Sequence, residues 1–130
     1  MTKDELAAFY RDYLACLNRQ DWPRLGAFVG EAVCHNGRPL GLTGYRAMLE
    51  QDFAAIPDLR FTIELLIVEP PRIASRLAFA CAPKGIFLGL PVNGRRVAFA
   101  ENVFYELTGH RIAQVWSVID KAAIEAQLAA

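Results

Sequence analysis

Apolar positions near the start of the chain recur every three to four residues: Leu6, Phe9, Tyr13, Cys16 and Leu17. That spacing lines them along one face of a helix and predicts one from about Lys3 to Gln20. Thr2 and Glu5 stand three apart just before the run, so each side chain can satisfy the other's free backbone N–H. Asp21 is placed to cap a second, short helix with Pro23 in its first turn, ended by Gly30. Ala32 to Asn36 reads as a short extended piece, and Gly37-Arg38-Pro39 as a turn. Thr43 opens a third helix running to about Ala55. Ile56-Pro57 stops it, because a residue before proline avoids helical angles.

Beyond Asp58 the period becomes two. Leu59 to Glu69 sets Phe61, Ile63, Leu65 and Ile67 against Arg60, Thr62, Glu64 and Leu66. After Pro70-Pro71, Arg72 to Ala82 sets Ile73, Ser75, Leu77, Phe79 and Cys81 against smaller or charged residues. Pro83 to Val92 is apolar but broken by Gly85, Gly89 and Pro91, and reads as a loop over a cavity mouth. Asn93-Gly94 is a hairpin signal, since both residues accept positive φ. Arg95 to Leu107 and Arg111 to Ile119 read as strands joined at Thr108-Gly109. Helices first and strands later predict a single α+β domain over residues 1–130, with helices packed on one face of an antiparallel sheet.

With Thr108 and Gly109 as the turn, Leu107 pairs with His110, Glu101 with Trp116 and Val97 with Asp120. The strand alternation then collects Ile112, Gln114, Trp116, Val118 and Asp120 on the bulky face, toward the helices and any pocket. The other face, with Ala98, Ala100, Asn102 and Ala113, suits a second sheet packed closely in a dimer. Glu101 and Asp120 share the bulky face, about four residues apart, more than ~10 Å. That is too far to share a proton.

At 130 residues the chain is long enough for one real core, and its 54% apolar content favours an interior pocket or a subunit interface. Charges balance, 14 basic against 14 acidic, with no basic stripe, which argues against a nucleic-acid partner. No apolar run approaches the ~20 residues of a membrane span. Three scattered cysteines, Cys16, Cys34 and Cys81, fit neither a disulfide framework nor a zinc site and suggest reduced thiols in a cytoplasmic protein.

Three helices before a sheet, the segment Gly85-Ile-Phe-Leu-Gly-Leu-Pro-Val-Asn-Gly94, the stretch Phe99-Ala-Glu-Asn-Val-Phe-Tyr105 and the ending Val115-Trp-Ser-Val-Ile-Asp120 resemble the SnoaL-like polyketide cyclases. These belong to the nuclear transport factor 2-like superfamily, with ketosteroid isomerase and scytalone dehydratase. The likeness covers nearly the whole chain; the matched loop departs from the pattern in having Val92 where a second proline would follow Pro91. It implies a cone-shaped α+β barrel with a curved antiparallel sheet, a deep apolar pocket, a homodimer formed through the sheet, and no metal or organic cofactor. It further implies that Asp120 acts as general acid/base in an intramolecular aldol ring closure.

Asp120 also suits a second role, as N-cap of a tail helix over Lys121 to Leu128. Beside Trp116 and away from water its pKa would rise towards neutrality, as proton transfer at carbon requires. His35, on a short apolar strand with Val33, is either a second acid/base or a hydrogen-bonded core histidine. Glu101 either holds substrate or sits in a buried ion pair with Arg38 or Arg46. Trp116, Tyr45, Phe53, Phe87 and Phe99 are candidates for the substrate-binding wall, each with plain core as its alternative. The expectation is a cofactor-independent cyclase or isomerase acting on an apolar, oxygenated, polyketide-like molecule, with Asp120 moving the proton and His35, Tyr45 or a backbone N–H steadying the enolate. A non-catalytic binding or scaffolding dimer is one rival. A hydrolase or dehydratase using His35 with Asp120 is another.

Overall fold

The computed structural model describes residues 1–130. Helix α1 spans Lys3–Asn18 and begins with the expected reciprocal cap: Thr2 N–H donates to Glu5 Oε1 at 2.9 Å and Glu5 N–H to Thr2 Oγ1 at 3.1 Å. Its buried stripe is Leu6, Tyr10, Tyr13, Leu14, Cys16 and Leu17. A 3-10 segment, Trp22–Ala27, follows with Pro23 in its first turn. Asp21 makes no capping bond there; its carboxylate faces Arg19 and Arg24 at 3.9 and 4.0 Å.

Strand β1 is longer than the sequence suggests, Val29–His35, and turns into a two-residue strand β2, Arg38–Pro39. Helix α2, Gly41–Ala55, starts two residues ahead of Thr43 and has no side-chain cap. Gly41 makes that early start possible. Its φ is +70°, and a Cβ there would lie 3.2 Å from the Glu31 carbonyl. Strands β3 (Thr62–Glu69) and β4 (Arg72–Cys81) come next. Pro83 to Val92 holds a small hairpin, β5 (Ile86–Phe87) with β6 (Leu90–Pro91), separate from the main sheet. Asn93 and Gly94 do take positive φ, 52° and 82°. They join that small hairpin to the main sheet rather than linking two paired strands. Strands β7 (Val97–Thr108) and β8 (Arg111–Ile119) and helix α3 (Lys121–Ala129) complete the chain.

The main sheet has six strands in the order β2-β1-β8-β7-β4-β3. It is mixed, because β1 runs parallel to β8 while the other neighbours are antiparallel. Its outer strands, β2 and β3, do not pair with each other, so the sheet is open and no barrel closes. Both points correct the all-antiparallel barrel expected from the sequence. The core lies between the helices and one sheet face. It joins α1 (Leu6, Tyr10, Tyr13, Leu17) and α2 (Tyr45, Leu49) to β4 (Ile73, Leu77, Phe79) and β7 (Val97, Phe99, Val103, Tyr105). Cys16, Cys34 and Cys81 are free thiols. No helix is long and apolar enough to cross a membrane.

Pairing of β4 with β7 is regular, Ile73 opposite Tyr105 through Cys81 opposite Val97, and both strands alternate as their sequences read. The two flanking pairs each contain a bulge. In β3 the pairing steps from Ile63–Leu77 to Leu65–Arg76, leaving Glu64 as the extra residue. In β8 it steps from Leu107–Ile112 to Glu106–Gln114, leaving Ala113 extra. One inserted residue sends every later side chain to the opposite face. Leu66 and Val68 therefore turn to the core and Leu65 and Ile67 to the outside. Val115, Ser117 and Ile119 turn inward, and Trp116 and Val118 outward. The turn itself is Gly109-His110, both with positive φ, one residue later than expected. That shift alone preserves the faces; the bulge reverses them.

Candidate active site

Above the inner sheet face lies a cavity of about 170 Å³. Tyr13 and Leu17 of α1, Tyr45, Met48, Leu49 and Asp52 of α2, and Phe61 just before β3 wall one side. His35 at the end of β1, Glu101, Val103 and Tyr105 of β7, and Val115, Ser117 and Ile119 of β8 wall the other. On α2, Tyr45, Leu49 and Asp52 stand four and three apart and so share a helix face.

Glu101 enters this space because β7 alternates strictly from the buried Val97 through Phe99. It forms no ion pair: Arg46 is engaged with Glu50 at 3.2 Å, and Arg38 makes no salt bridge. Burial of an unpaired carboxylate favours its neutral form, and the Asp52 charge adds to the effect. The Glu101 pKa is pushed up to about 7, with the Ser117 hydroxyl opposing part of the rise. Desolvation also raises Asp52, to about 6. The carboxyls therefore differ at neutral pH: Asp52 is mostly ionised, while Glu101 is poised between its two forms.

Tyr13, Tyr45 and Tyr105 share the cavity wall with them, and Tyr10 lies outside it, in contact with Tyr105. The Tyr13 and Tyr45 hydroxyls lie 2.7 Å apart, and those of Tyr10 and Tyr105 lie 3.1 Å apart. Burial raises the pKa of all four, so all stay protonated and can donate. A hydroxyl pair shares only one of its two protons internally, which leaves the other to be offered to a third group. The His35 ring centroid is 6.4 Å from that of Tyr45, and its Nδ1 is buried without a hydrogen-bond partner. Burial, aided by Arg38, lowers the His35 pKa, so the ring is neutral at pH 7.

Among the residues singled out from the sequence, Glu101, His35 and Tyr45 meet at this cavity. Asp120 does not. It is exposed at the N-terminus of α3, where Oδ1 accepts the Ala123 N–H at 3.2 Å. Trp116 is 41% exposed on the outer sheet face, because the Ala113 bulge turns it away from the helices. Phe53 packs between Trp22 and Phe61 at centroid distances of 5.9 and 6.1 Å. Phe99 is core, stacked on Phe79 at 5.3 Å, and Phe87 of the small hairpin covers it at 5.7 Å. None of these three rings lines the cavity. Asp52, Tyr13, Tyr105 and Ser117 are the polar wall residues that sequence reasoning missed, and Phe61 is among the apolar ones. For Asp52 a signal existed: it is a carboxylate on the same helical stripe as Tyr45 and Leu49.

Residues 7–128 match the SnoaL-like polyketide cyclases. The chain belongs to that family. A SnoaL-like polyketide cyclase from Agrobacterium tumefaciens is 55% identical with a TM-score of 0.95, covering 98% of this chain and 99% of that one. TsrD from Streptomyces laurentii superposes with a TM-score of 0.84 at 24% identity, over 98% and 97% of the two chains. IdmH from Streptomyces antibioticus gives 0.80 at 18% identity, over 95% and 98%. These last two likenesses concern the fold alone. Among curated proteins, none matches the chain significantly.

Proposed function

We propose that the protein is an acid/base enzyme of the cyclase or isomerase type, acting on an apolar, oxygenated, polyketide-like small molecule, with Glu101 rather than Asp120 moving the proton. The observation that carries this reading is a carboxyl without an ion-pair partner on a cavity wall shared with Asp52, His35 and the tyrosine hydroxyls, an environment that raises its pKa. A general base works best with a pKa near the operating pH. In the cyclase reaction, the Glu101 carboxylate removes a proton from the carbon beside a carbonyl. The resulting enolate carbon attacks a second carbonyl of the same molecule and forms the new C–C bond. The alkoxide left behind receives the proton back from Glu101. The step balances with that proton alone and calls for no cofactor. Negative charge on the enolate oxygen is met by the free O–H of the Tyr13–Tyr45 pair, held in place before the charge develops. Neutral His35 is available to hydrogen-bond a second substrate oxygen.

Convergence of Glu101, Asp52, His35 and the tyrosine hydroxyls on one space supports catalysis over a purely binding role, for which a cavity of carbon would suffice. The test is deuterium uptake at the α-carbons of cyclohexanone in D2O, followed by NMR. The wild type accelerates exchange over buffer, and Glu101→Gln loses roughly 10²- to 10⁴-fold of that acceleration. Undiminished exchange in Glu101→Gln overturns the proposal.

The protein also acts, in this reading, as a homodimer joined through the outer sheet face. Leu65, Ile67, Phe104, Trp116 and Val118 are 55%, 59%, 59%, 41% and 71% exposed. Phe104, Trp116 and Val118 lie on adjoining β7 and β8, and Leu65 and Ile67 on β3 beyond the outward Arg76 of β4; exposed apolar surface of this kind marks an interaction site. Its central cation is already neutralised within the face: Arg76 reaches Glu64 at 3.4 Å and Asn102 at 3.1 Å. Sedimentation velocity measures the stoichiometry.

A further inference from the structure

We propose that the substrate of this cavity is a single-ring ketone or a molecule of similar size, and that Phe61 sets the limit. The inference rests on the cavity being the active site, as proposed above. Its volume is about 170 Å³. A protein cavity of about 150 Å³ accommodates benzene, whereas sites for larger, drug-sized molecules span roughly 300–1,000 Å³. One ring with short oxygen substituents fits; three or four fused rings do not.

Seven of the fourteen wall residues are tightly packed and resist displacement. Tyr13, Leu17, Tyr45, Leu49, Val103, Tyr105 and Val115 are core residues, each at most 4% exposed. Tyr13 is further tied to Tyr45 across α1 and α2. Interiors packed to this degree resist added volume. Phe61 is the one side chain that the cavity shares with a neighbouring open groove. It lines the cavity, and it also lines a surface groove of about 490 Å³ between α1 and β3 that contains Arg11, Arg19 and Arg60.

Phe61 is held at both main-chain and side-chain level. Its N–H donates to Asn18 Oδ1 at 2.8 Å and its carbonyl accepts from Asn18 Nδ2 at 3.0 Å. Its ring packs against Phe79 and Phe53 at 5.5 and 6.1 Å. A partition strapped to α1 in this way stays in place when a ligand enters. Truncating it joins the cavity to the groove, where the arginines could meet an acidic substituent of a longer molecule.

A size series tests this: cyclohexanone, 2-tetralone and anthrone, with binding followed by two-dimensional NMR of the Glu101→Gln protein. Using that variant separates fit from proton transfer. Expected binding falls at least about tenfold from cyclohexanone to 2-tetralone, against their rising hydrophobicity, and vanishes for anthrone. Phe61→Ala, or Phe61→Leu should the alanine variant not fold, restores 2-tetralone. Anthrone binding as tightly as cyclohexanone, or no binding of any of the three, overturns the inference. So does a folded Phe61 variant that keeps the wild-type order. If the size order holds while Glu101→Gln leaves exchange untouched, only the proton-transfer reading falls. If exchange depends on Glu101 yet its acceleration over buffer is greatest with 2-tetralone, only the size limit falls.

Discussion

Glu101 and Asp120 are near neighbours in the last hairpin, and they meet opposite fates. Glu101 pairs with Ile119, and the Asp120 N–H donates to the Ala100 carbonyl at 2.9 Å. Yet Glu101 points into a cavity under two helices, while Asp120 stands in solvent and caps α3. One carboxyl is driven towards its neutral form; the other stabilises a helix by accepting a free backbone N–H. Position in the sequence does not decide between acid/base chemistry and capping. The face on which the side chain emerges does, and the bulge at Ala113 sets that face for β8.

Replacing the buried member separates its two effects. With a folded pKa of about 7 against an ordinary 4.5, Glu101 keeps its proton in the folded protein at pH values where the unfolded chain has lost it. Stability therefore falls as pH rises through that interval, and the cost is complete above about pH 7. Asp52 contributes with the same sign between 3.8 and about 6. Glu101→Gln removes the larger of these costs. Its stability gain by urea denaturation should reach on the order of 3 kcal/mol near pH 8 and disappear near pH 4. If Glu101 moves the proton as proposed, the same substitution should lower turnover by roughly 10²- to 10⁴-fold, and one residue would show function maintained at the expense of stability. A variant equally destabilised at both pH values would mean that the carboxyl is not desolvated. Under the proposed mechanism, wild-type kcat/KM should rise with pH through about 7, as ionisation of Glu101 frees the base.

On the outer side of the same hairpin, two residues before Asp120, Val118 is 71% exposed. Val118→Lys leaves the monomer's stability within about 0.5 kcal/mol, as an exposed substitution should. If the outer face joins a homodimer as proposed, the charge placed in its apolar patch should weaken dimerisation by about 2 kcal/mol, roughly thirtyfold in Kd by sedimentation. An unchanged Kd places the subunit contact elsewhere. Loss of monomer stability would mean that the outer face is part of the core.

Most of the architecture was legible because local rules governed it. The α1 cap, the stop at Ile56-Pro57, and the alternation of β4 and β7 each depend on a few adjacent residues. Glu101 reaches the inner face for the same reason and His35 through its strand, while Tyr45 could be read only as wall or core. Trp116 and Asp120 were misplaced together on the inner face, although the reading of Asp120 as cap of α3 holds. Strict alternation in β8 looks better in sequence, since it gathers Ile112, Trp116 and Val118 on one face, than the bulged arrangement that exposes two of them. Nothing within β8 announces that Ala113 is extra; the reason lies across the sheet. There β8 is bonded to parallel β1 on one side and to β7 on the other, and β1 itself is irregular between Val29 and Cys34. The parallel β1–β8 pairing and the open edges are likewise products of long-range pairing. Asp52 was hidden differently: a polar residue on a helical stripe reads as a break in the core unless something on the opposite wall gives it a role.

Asp120 supplies the finest test of the comparison, because its two candidate roles respond differently to two substitutions. As a cap its contribution is one hydrogen bond to the Ala123 N–H. Asn at that position caps about as well as Asp, whereas Ala cannot accept the bond. Asp120→Asn should therefore be nearly neutral and Asp120→Ala should cost about 1 kcal/mol, seen as a lower urea midpoint. Turnover should be unaffected in both, since the side chain lies outside the cavity. A proton-transferring aspartate gives the reverse pattern, in which Asn eliminates activity as thoroughly as Ala while leaving stability alone. Reading activity and urea midpoint on the same two variants thus assigns the residue from the pattern, even if α3 frays and the stability change is smaller than expected.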